Sequence, residues 1–365
     1  MELRSCVRQP CRRLRRSLAV AIVLVLTWGA AAPAAQPVEL GPIEIVPEPD
    51  PGLPGYRFCP DGHISFLRDG DRFQMYWPGS TTYRTRGRSV MAMATAQPVL
   101  EAGLPGSFEN GGAWLNSVFR RSGNKLVGFY HAEDHEFEGD PQSQYVAWKS
   151  IACCLSSDNG LSWQKEGQIL TSSRPKPRQP SWGGCGDFCV VRDEKHARWL
   201  CFFQQHALCI ACSEDPLGKP GTWRKYYRGD FREPGLGGRS SPIAGLVDHA
   251  GGNPSVHFNT YLQRWVMVWG TWERTSPRPE SIWLSTSDDL LKWSAPQVLV
   301  AARGEERCWY PTIIGDSDVS AGQKALLCYA YFPDKTKAHR EFVAREITFH
   351  KQRRDPPPAD RSPQN

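Results

Sequence analysis

Apolar positions along this chain fall into short runs broken by glycine, proline and polar residues, and the runs recur in five similar groups between Asp61 and Phe349. Each group opens with an apolar strand entered through a small or polar residue. The openings are Asp61-Gly-His-Ile-Ser-Phe66, Trp114-Leu-Asn-Ser-Val-Phe119, Gly186-Asp-Phe-Cys-Val-Val191, Asn253-Pro-Ser-Val-His-Phe258 and Tyr310-Pro-Thr-Ile-Ile-Gly315. An aromatic-rich second strand follows at a similar offset: Arg72 to Trp77, Lys125 to Tyr130, Arg198 to Phe203, Arg264 to Trp269 and Ala325 to Ala330. A third strand comes next. A repeat of roughly 50 to 70 residues, all β and unable to bury its faces alone, predicts a propeller. Five copies predict five blades of four antiparallel strands.

The blades are expected at 56–100, 110–170, 183–227, 251–300 and 307–349, giving a propeller over 56–350. No stretch carries the 3.6-residue apolar period of a long helix. Fourteen Trp and thirty-three Gly suit aromatic packing between blades and many tight turns. Residues 36–55 are Pro-rich and are expected to wrap the surface and help close the ring. Residues 351–365 are charged, Pro-rich and without apolar period, and are expected to be disordered.

The first 35 residues read as a signal peptide: six arginines from Arg4 to Arg16, an apolar core from Leu18 to Trp28, and small residues from Ala30 to Ala35. That core is shorter than the ~20 residues that span a bilayer. The expectation is a secreted or periplasmic protein with no stable membrane insertion after cleavage near Gln36. The leader holds six arginines and one glutamate, so its loss drops the formal charge from +6 to +1. A nearly neutral chain gives no electrostatic case for a nucleic-acid partner. Of twelve cysteines, Cys6 and Cys11 leave with the leader. Export permits disulfides among the rest. Cys154, Cys189, Cys201, Cys212 and Cys328 sit inside apolar strands as small buried hydrophobes, so one or two bridges at most are expected.

The segment Ser156-Ser-Asp-Asn-Gly-Leu-Ser-Trp163 fits an Asp-box, a turn between third and fourth strands, with looser versions ending at Trp223 and Trp293. Its Asp158 caps turn amides, its glycine takes positive φ and its Trp packs between blades. That turn lies on the face opposite the usual propeller site, so Asp158 is read as structural.

Strand direction sorts the other acids. First strands begin at one face, and the loops joining second and third strands return to it. This mouth collects Asp61, Asn116, Asp187, Asn253 and Tyr310 from the first strands. The loops add Trp77, His131, Glu133, Asp134, His135, His206, Trp272 and Glu273, and the blade connections add Trp182, Glu233 and Arg239. Aromatic faces with planar polar groups suit a carbohydrate substrate. The expected substrate contacts are Trp77, His131, His135, Trp182, His206, Asn253, Trp272 and Tyr310. His131, Glu133 and His135 alternate along one strand face and could ligate a metal, although loop histidines more often serve hydrogen-bond networks. No metal or cofactor is assigned, with room left for a structural cation near the axis.

These copies, with Gly-Asp-Phe-Cys-Val-Val191, the Ser-x-Asp turn with its Trp, and the closing Tyr310-Pro-Thr-Ile-Ile to Arg345-Glu-Ile-Thr-Phe349, resemble the five-bladed propeller glycosidases. That superfamily includes the family 43 arabinanases and xylosidases, the fructosidases and the mannoside phosphorylases. The resemblance covers nearly the whole mature chain and implies a general base at Asp61 and an acid-orienting Asp at Asp187. The family's glutamate at the opening of blade 4 is missing, because Asn253 stands there. Candidates for the acid are Glu133, Glu233, Glu273, His131 and His135. Glu133 is preferred, on the expectation that neighbouring Asp134 raises its pKa. The leading expectation is an exported glycoside hydrolase using paired carboxylates. The alternatives are a non-catalytic carbohydrate-binding propeller and a protein-interaction propeller.

Overall fold

The computed structural model describes residues 38–49, 60–79, 81–94, 96–141, 143, 146–246, 251–271, 278–334, 336 and 340–351. The leader and the C-terminal tail lie outside them, as do Trp272 and Glu273. Among the described residues no helix is long and apolar enough to cross a membrane.

The strands form five separate sheets arranged as a five-bladed propeller. From the axis outward, blade 1 is Ser65–Asp69, Arg72–Pro78 and Thr82–Ser89, with Ala92–Met93 and Gln97–Leu100 outside. Blade 2 is Gly112–Ser122, Lys125–Asp134, Trp148–Ser156 and Gln164–Leu170. Blade 3 is Gly186–Asp193, Arg198–Gln204, Leu208–Ser213 and Arg224–Tyr227, with Asp230–Pro234 added. Blade 4 is Gly251–Asn259, Arg264–Thr271, Ile282–Ser287 and Gln297–Val300. Blade 5 takes Arg307–Ile314, Lys324–Phe332 and Glu341–Phe349 from its own repeat. Its outer strand is Val38–Leu40, paired antiparallel with Glu341–Phe349 so that Val38 faces Phe349. The ring is therefore closed by backbone hydrogen bonds between its two ends, and the third strand of blade 5 is covered by a short outer strand.

Blades stack face to face, so middle strands are buried on both sides and read as continuous apolar runs rather than alternating ones. Phe129 and Ile151 of blade 2 meet Phe188 and Phe203 of blade 3, and Phe202 of blade 3 shares a cluster with Met267 and Trp269 of blade 4. Val268 packs with Leu327 and Tyr329, Trp77 with Cys328 and Phe342, and Tyr76 with Leu115 and Tyr130. Each fully buried side chain of this size contributes about 1.5–3 kcal/mol. The nine described cysteines are free and buried, most of them in these layers, where they act as small apolar residues.

A second set of contacts runs around the axis. One small residue on each innermost strand accepts a backbone N–H from the next. Ser65 Oγ accepts from Val118 (2.9 Å) and Ser117 Oγ from Val190 (2.9 Å). The Cys189 thiol accepts from Val256, Ser255 Oγ from Ile313 (3.4 Å), and Thr312 Oγ1 from Ile64 (3.2 Å). Where blades converge, first strands are too splayed to pair with each other, and these bonds satisfy donors that burial would otherwise orphan. His63 closes the centre. Its Nδ1–H donates to the Asn116 carbonyl at 2.6 Å, which leaves Nε2 to accept from Ser255 Oγ at 3.3 Å. Burial holds this imidazole neutral, with its pKa pushed down to about 4.

His257, on the innermost strand of blade 4, is fully buried, and burial pushes its pKa down to about 3; neither ring nitrogen has a partner among the described residues. Below pH ~6.5 the unfolded chain takes a proton that the folded one refuses, so stability falls as pH drops from there toward 3. His257→Leu should be close to neutral at pH 7. At pH 4 it should gain about 3 kcal/mol over wild type, at ~1.4 kcal/mol per pH unit. Urea unfolding at the two pH values measures this, and equal differences at both would refute it.

Candidate active site

Four of the five innermost strands carry a β-bulge near their start. The pairing register slips between Leu115 and Ser117, Gly186 and Phe188, Gly252 and Ser255, and Trp309 and Thr312. The residues set out of the ladder are Asn116, Asp187, Asn253 with Pro254, and Tyr310 with Pro311. Asp187, Asn253 and Tyr310 also have positive φ, at 46°, 56° and 54°. Non-glycine residues in this region cost about 1–3 kcal/mol each and cluster at functional sites. Three of them at the same point of three successive blades make this end of the axis the candidate site.

Asp61 and Tyr310 meet there. The Tyr310 phenol is hydrogen-bonded to Asp61, and its pKa is raised well above the ordinary tyrosine value by burial, then by the Asp61 charge, with Asp187 adding to it and Arg340 opposing. One phenol thus feels both aspartates. Arg340 donates to Asp61 Oδ1 at 3.1 Å and to the Pro60 carbonyl, and stacks over Tyr310 at 5.1 Å. Asp61 itself stays open to solvent.

Asp187 heads a chain of polar contacts into blade 2. Lys149 Nζ lies 2.7 Å from its Oδ2. Its backbone N–H donates to His131 Nδ1 at 3.0 Å, so that nitrogen carries no proton and His131 Nε2–H must be the donor to Glu133 Oε1 at 3.1 Å. His135 Nε2 reaches Glu133 Oε2 at 2.8 Å. These three residues therefore form a closed hydrogen-bond network rather than an open metal-ligand set. Among the described residues no group of three or more His, Cys, Asp or Glu is arranged to hold a metal.

The network reverses the expectation for Glu133. Burial raises its pKa, but the bonds from His131 and His135 and the charge of Lys149 outweigh it and bring the carboxyl down to about 2. Asp134 does not act on it as expected. Strand alternation turns Asp134 to the other face, against Lys176 at 2.6 Å and Asn110 at 2.8 Å. A depressed folded pKa contributes stability above the unfolded value near 4.5 that is lost as pH falls toward 2. Glu133→Gln should therefore be less stable than wild type at pH 6 by about 3 kcal/mol, with the gap closing by pH ~2.5. Denaturant midpoints across that window test it.

Other expected contacts are corrected. Trp77 is fully buried and stacks on Tyr83 at 4.8 Å in the layer between blades 5 and 1, because its strand is still within the sheet there. His131 is buried with both nitrogens engaged. Asn253 is fully buried below the mouth, its amide atoms unpartnered among the described residues, and does not face a substrate. His135 sits in a separate cleft beside Asn110 and Gly111. Glu233 is taken up locally, accepting from Arg239 Nη2 at 2.8 Å and from its backbone N–H at 3.0 Å. Trp182 and His206 line a groove at the side of the mouth. Trp272, and Glu273 with it, lie outside the described residues.

The turn after Ser156 is on the far face. Asn159 bonds Gln74 and Asp69, at the end of blade 1 remote from Asp61. Asp158 accepts from the Leu161 and Ser162 amides and the Ser162 hydroxyl, and Gly160, at φ 80°, lies where a Cβ would strike Tyr76 Oη.

Two mouth residues escaped the sequence reading. Lys149 begins the third strand of blade 2, and Arg340 ends the loop between second and third strands of blade 5. The rule that such loops return to the mouth covers both positions.

No family model matches the sequence, and no curated protein matches it. Solved structures with the same fold do. A putative exo-β-1,3-galactanase from Bifidobacterium bifidum is similar at 14% identity and TM-score 0.52 over 80% of this chain and 89% of its own. Zg3597, a family 117 glycoside hydrolase from Zobellia galactanivorans, is similar at 9% identity and TM-score 0.52, over 85% and 89%. An exo-β-1,3-galactanase from Phanerochaete chrysosporium gives 10% and 0.51 over 78% of this chain and 60% of its own. The chain is a five-bladed propeller of the architecture found in these glycosidases.

Proposed function

We propose that this chain is an exported propeller glycoside hydrolase whose site lies around Asp61, Tyr310 and Asp187. The observation that carries the reading is the meeting of Asp61 of blade 1 and Tyr310 of blade 5 on Arg340, which bonds the one at 3.1 Å and stacks over the other at 5.1 Å, with Asp187 of blade 3 near enough for its charge to act on the same phenol. Asp61, open to solvent and held by Arg340 beside Tyr310, is the general base that takes a proton from water as its oxygen bonds the anomeric carbon. The glycosidic C–O bond breaks and the leaving oxygen takes its proton from solvent water, since Asn253 stands where a carboxylic acid would donate it. Asp187, fixed by Lys149 and by its backbone bond to His131, flanks the sugar as a carboxylate and orients the reacting end. The named glycosidases of like fold add to this reading by analogy. Incubating the purified protein with a panel of aryl glycosides and polysaccharides, and measuring released reducing ends, tests it.

A second reading is a saccharide-binding propeller without turnover. It is favoured by the proton-donor position: Asn253 replaces the expected glutamate, and Glu133 is held ionised. Binding of oligosaccharides with no cleavage across the panel would select it.

A further inference from the structure

Beside the mouth, between blades 2 and 3, lies a groove of about 760 Å³ that the reaction above does not use. Its walls are the connection after blade 2, the start of the third strand of blade 2, and the loops of blade 3. Trp148, Trp182 and Tyr227 supply aromatic faces, and Arg174, Arg239 and His206 supply the polar ones; among the described residues no Asp or Glu lines it. Trp182 is 59% exposed, an unusual state for so large an apolar ring.

The charge is one-sided. Arg239 stacks on Tyr227 at 4.4 Å and is offset by Glu233. Arg174 is exposed and has no ion pair among the described residues. Behind the groove, Lys225 is fully buried, with its ammonium bonded to the carbonyls of Thr171 and Gly238. His206 stands close enough to both Arg174 and Lys225 for their charges, after burial, to lower its pKa. Positive charge backed by low-dielectric protein focuses potential into a cleft and concentrates anions there.

The groove wall shares its backbone with residues that hold the site. Trp148 precedes Lys149, which holds Asp187, and Gly183–Gly184 pairs alongside Trp148 and Lys149 two residues before Gly186 and Asp187. A Cβ on Gly183 would meet the Trp148 ring at 2.2 Å, so the glycine lets that ring lie flat in the wall.

We propose that this groove is a subsite for an anionic sugar unit, a uronate or a sulfate ester, in the same saccharide whose glycosidic bond reaches Asp61. The guanidinium of Arg174 receives the anion, and the Trp182 and Trp148 faces receive the ring. This rests on the hydrolase reading only for the link to Asp61; the binding itself does not require turnover.

Affinity electrophoresis of the full chain through gels containing polygalacturonate, carrageenan or neutral galactan tests it. Retardation should be at least ten-fold stronger in one anionic gel than in the neutral one, and which gel retards identifies carboxylate or sulfate. Arg174→Gln should weaken that retardation about ten-fold, the scale of one charge-assisted hydrogen bond, and Trp182→Ala should weaken it too. Arg121→Gln, which removes the same charge from the exposed far end of the first strand of blade 2, should leave it unchanged. Equal retardation of Arg174→Gln and wild type, equal losses in Arg174→Gln and Arg121→Gln, or stronger retention on neutral galactan would overturn the subsite. Cleavage of neutral glycosides without anionic retention would sink the subsite and leave the hydrolase reading standing. Anionic retention without any cleavage would do the reverse.

Discussion

Asp61→Asn should lower kcat by about 10³-fold or more while the protein folds and binds saccharide as before. The amide keeps the shape and the contact to Tyr310 but cannot accept a proton from water, and loss of a positioned base costs roughly 10²–10⁴-fold. Stability should change by less than ~1 kcal/mol, because the Asp61–Arg340 pair has a carboxylate 46% exposed and pairs of that kind contribute little. Steady-state kinetics on any glycoside the wild type cleaves, paired with thermal melts and binding titration, separates the two effects. Unchanged kcat would remove Asp61 from the chemistry, and a collapse in melting temperature would make its role structural.

Lys149→Met should be the most destabilising single change at the mouth. The pair with Asp187 is largely desolvated, with side chains 16% and 15% exposed. Removing one partner of such a pair costs about 3–5 kcal/mol, mostly from the charge left behind. Despite burial, the Asp187 and Glu133 charges hold the Lys149 pKa above its ordinary value, which shows how much of the local field it neutralises. The double variant Lys149→Met/Asp187→Asn should regain about half of the lost stability, because Asp187 no longer carries an unpaired charge while Glu133 still lacks the Lys149 charge. It should not regain activity. Denaturation and kinetics on the two singles and the double form a closed cycle, and additive stability losses would mean the ion pair is not coupled.

The fold was readable because its evidence is local and repeated. Five copies of a first strand and an aromatic second strand give five blades, and those strands form where the apolar runs stand. Closure was expected of residues 36–55, but local pattern could not show which residues close the ring or on which strand. Val38–Leu40 completes blade 5 by pairing some three hundred residues away, next to Phe349. The axial ring was written in the copies all along, as Ser65, Ser117, Cys189, Ser255 and Thr312 at matching places. Its meaning needs the neighbouring blade, since each hydroxyl or thiol serves the following strand.

The site was readable in part, for a related reason. The rule that first strands begin at the mouth brings Asp61, Asp187 and Tyr310 together. It fails for Trp77, which that rule treats as a loop residue although Trp77 still pairs with Tyr83 inside the sheet. It also says nothing about which carboxylate is charged. Glu133 and Asp134 are neighbours in sequence, so mutual repulsion was the natural expectation, but a strand sends them to opposite faces. The field at Glu133 comes instead from His131, His135 and Lys149, the last of them from the adjacent strand. Arg340 and Lys149 were within the same rule, but what they do there needs the contacts to Asp61 and Asp187 that only the fold brings.

The most direct measurement is a crystal structure of the Asp61→Asn protein soaked with an oligosaccharide that the wild type cleaves. A glycosidic bond held at the mouth, with its anomeric carbon facing the amide that replaces the Asp61 carboxylate, beside Tyr310 and Asp187, is the predicted result. Saccharide bound only at the far face, beside the turn of Asp158 and Trp163, would contradict it.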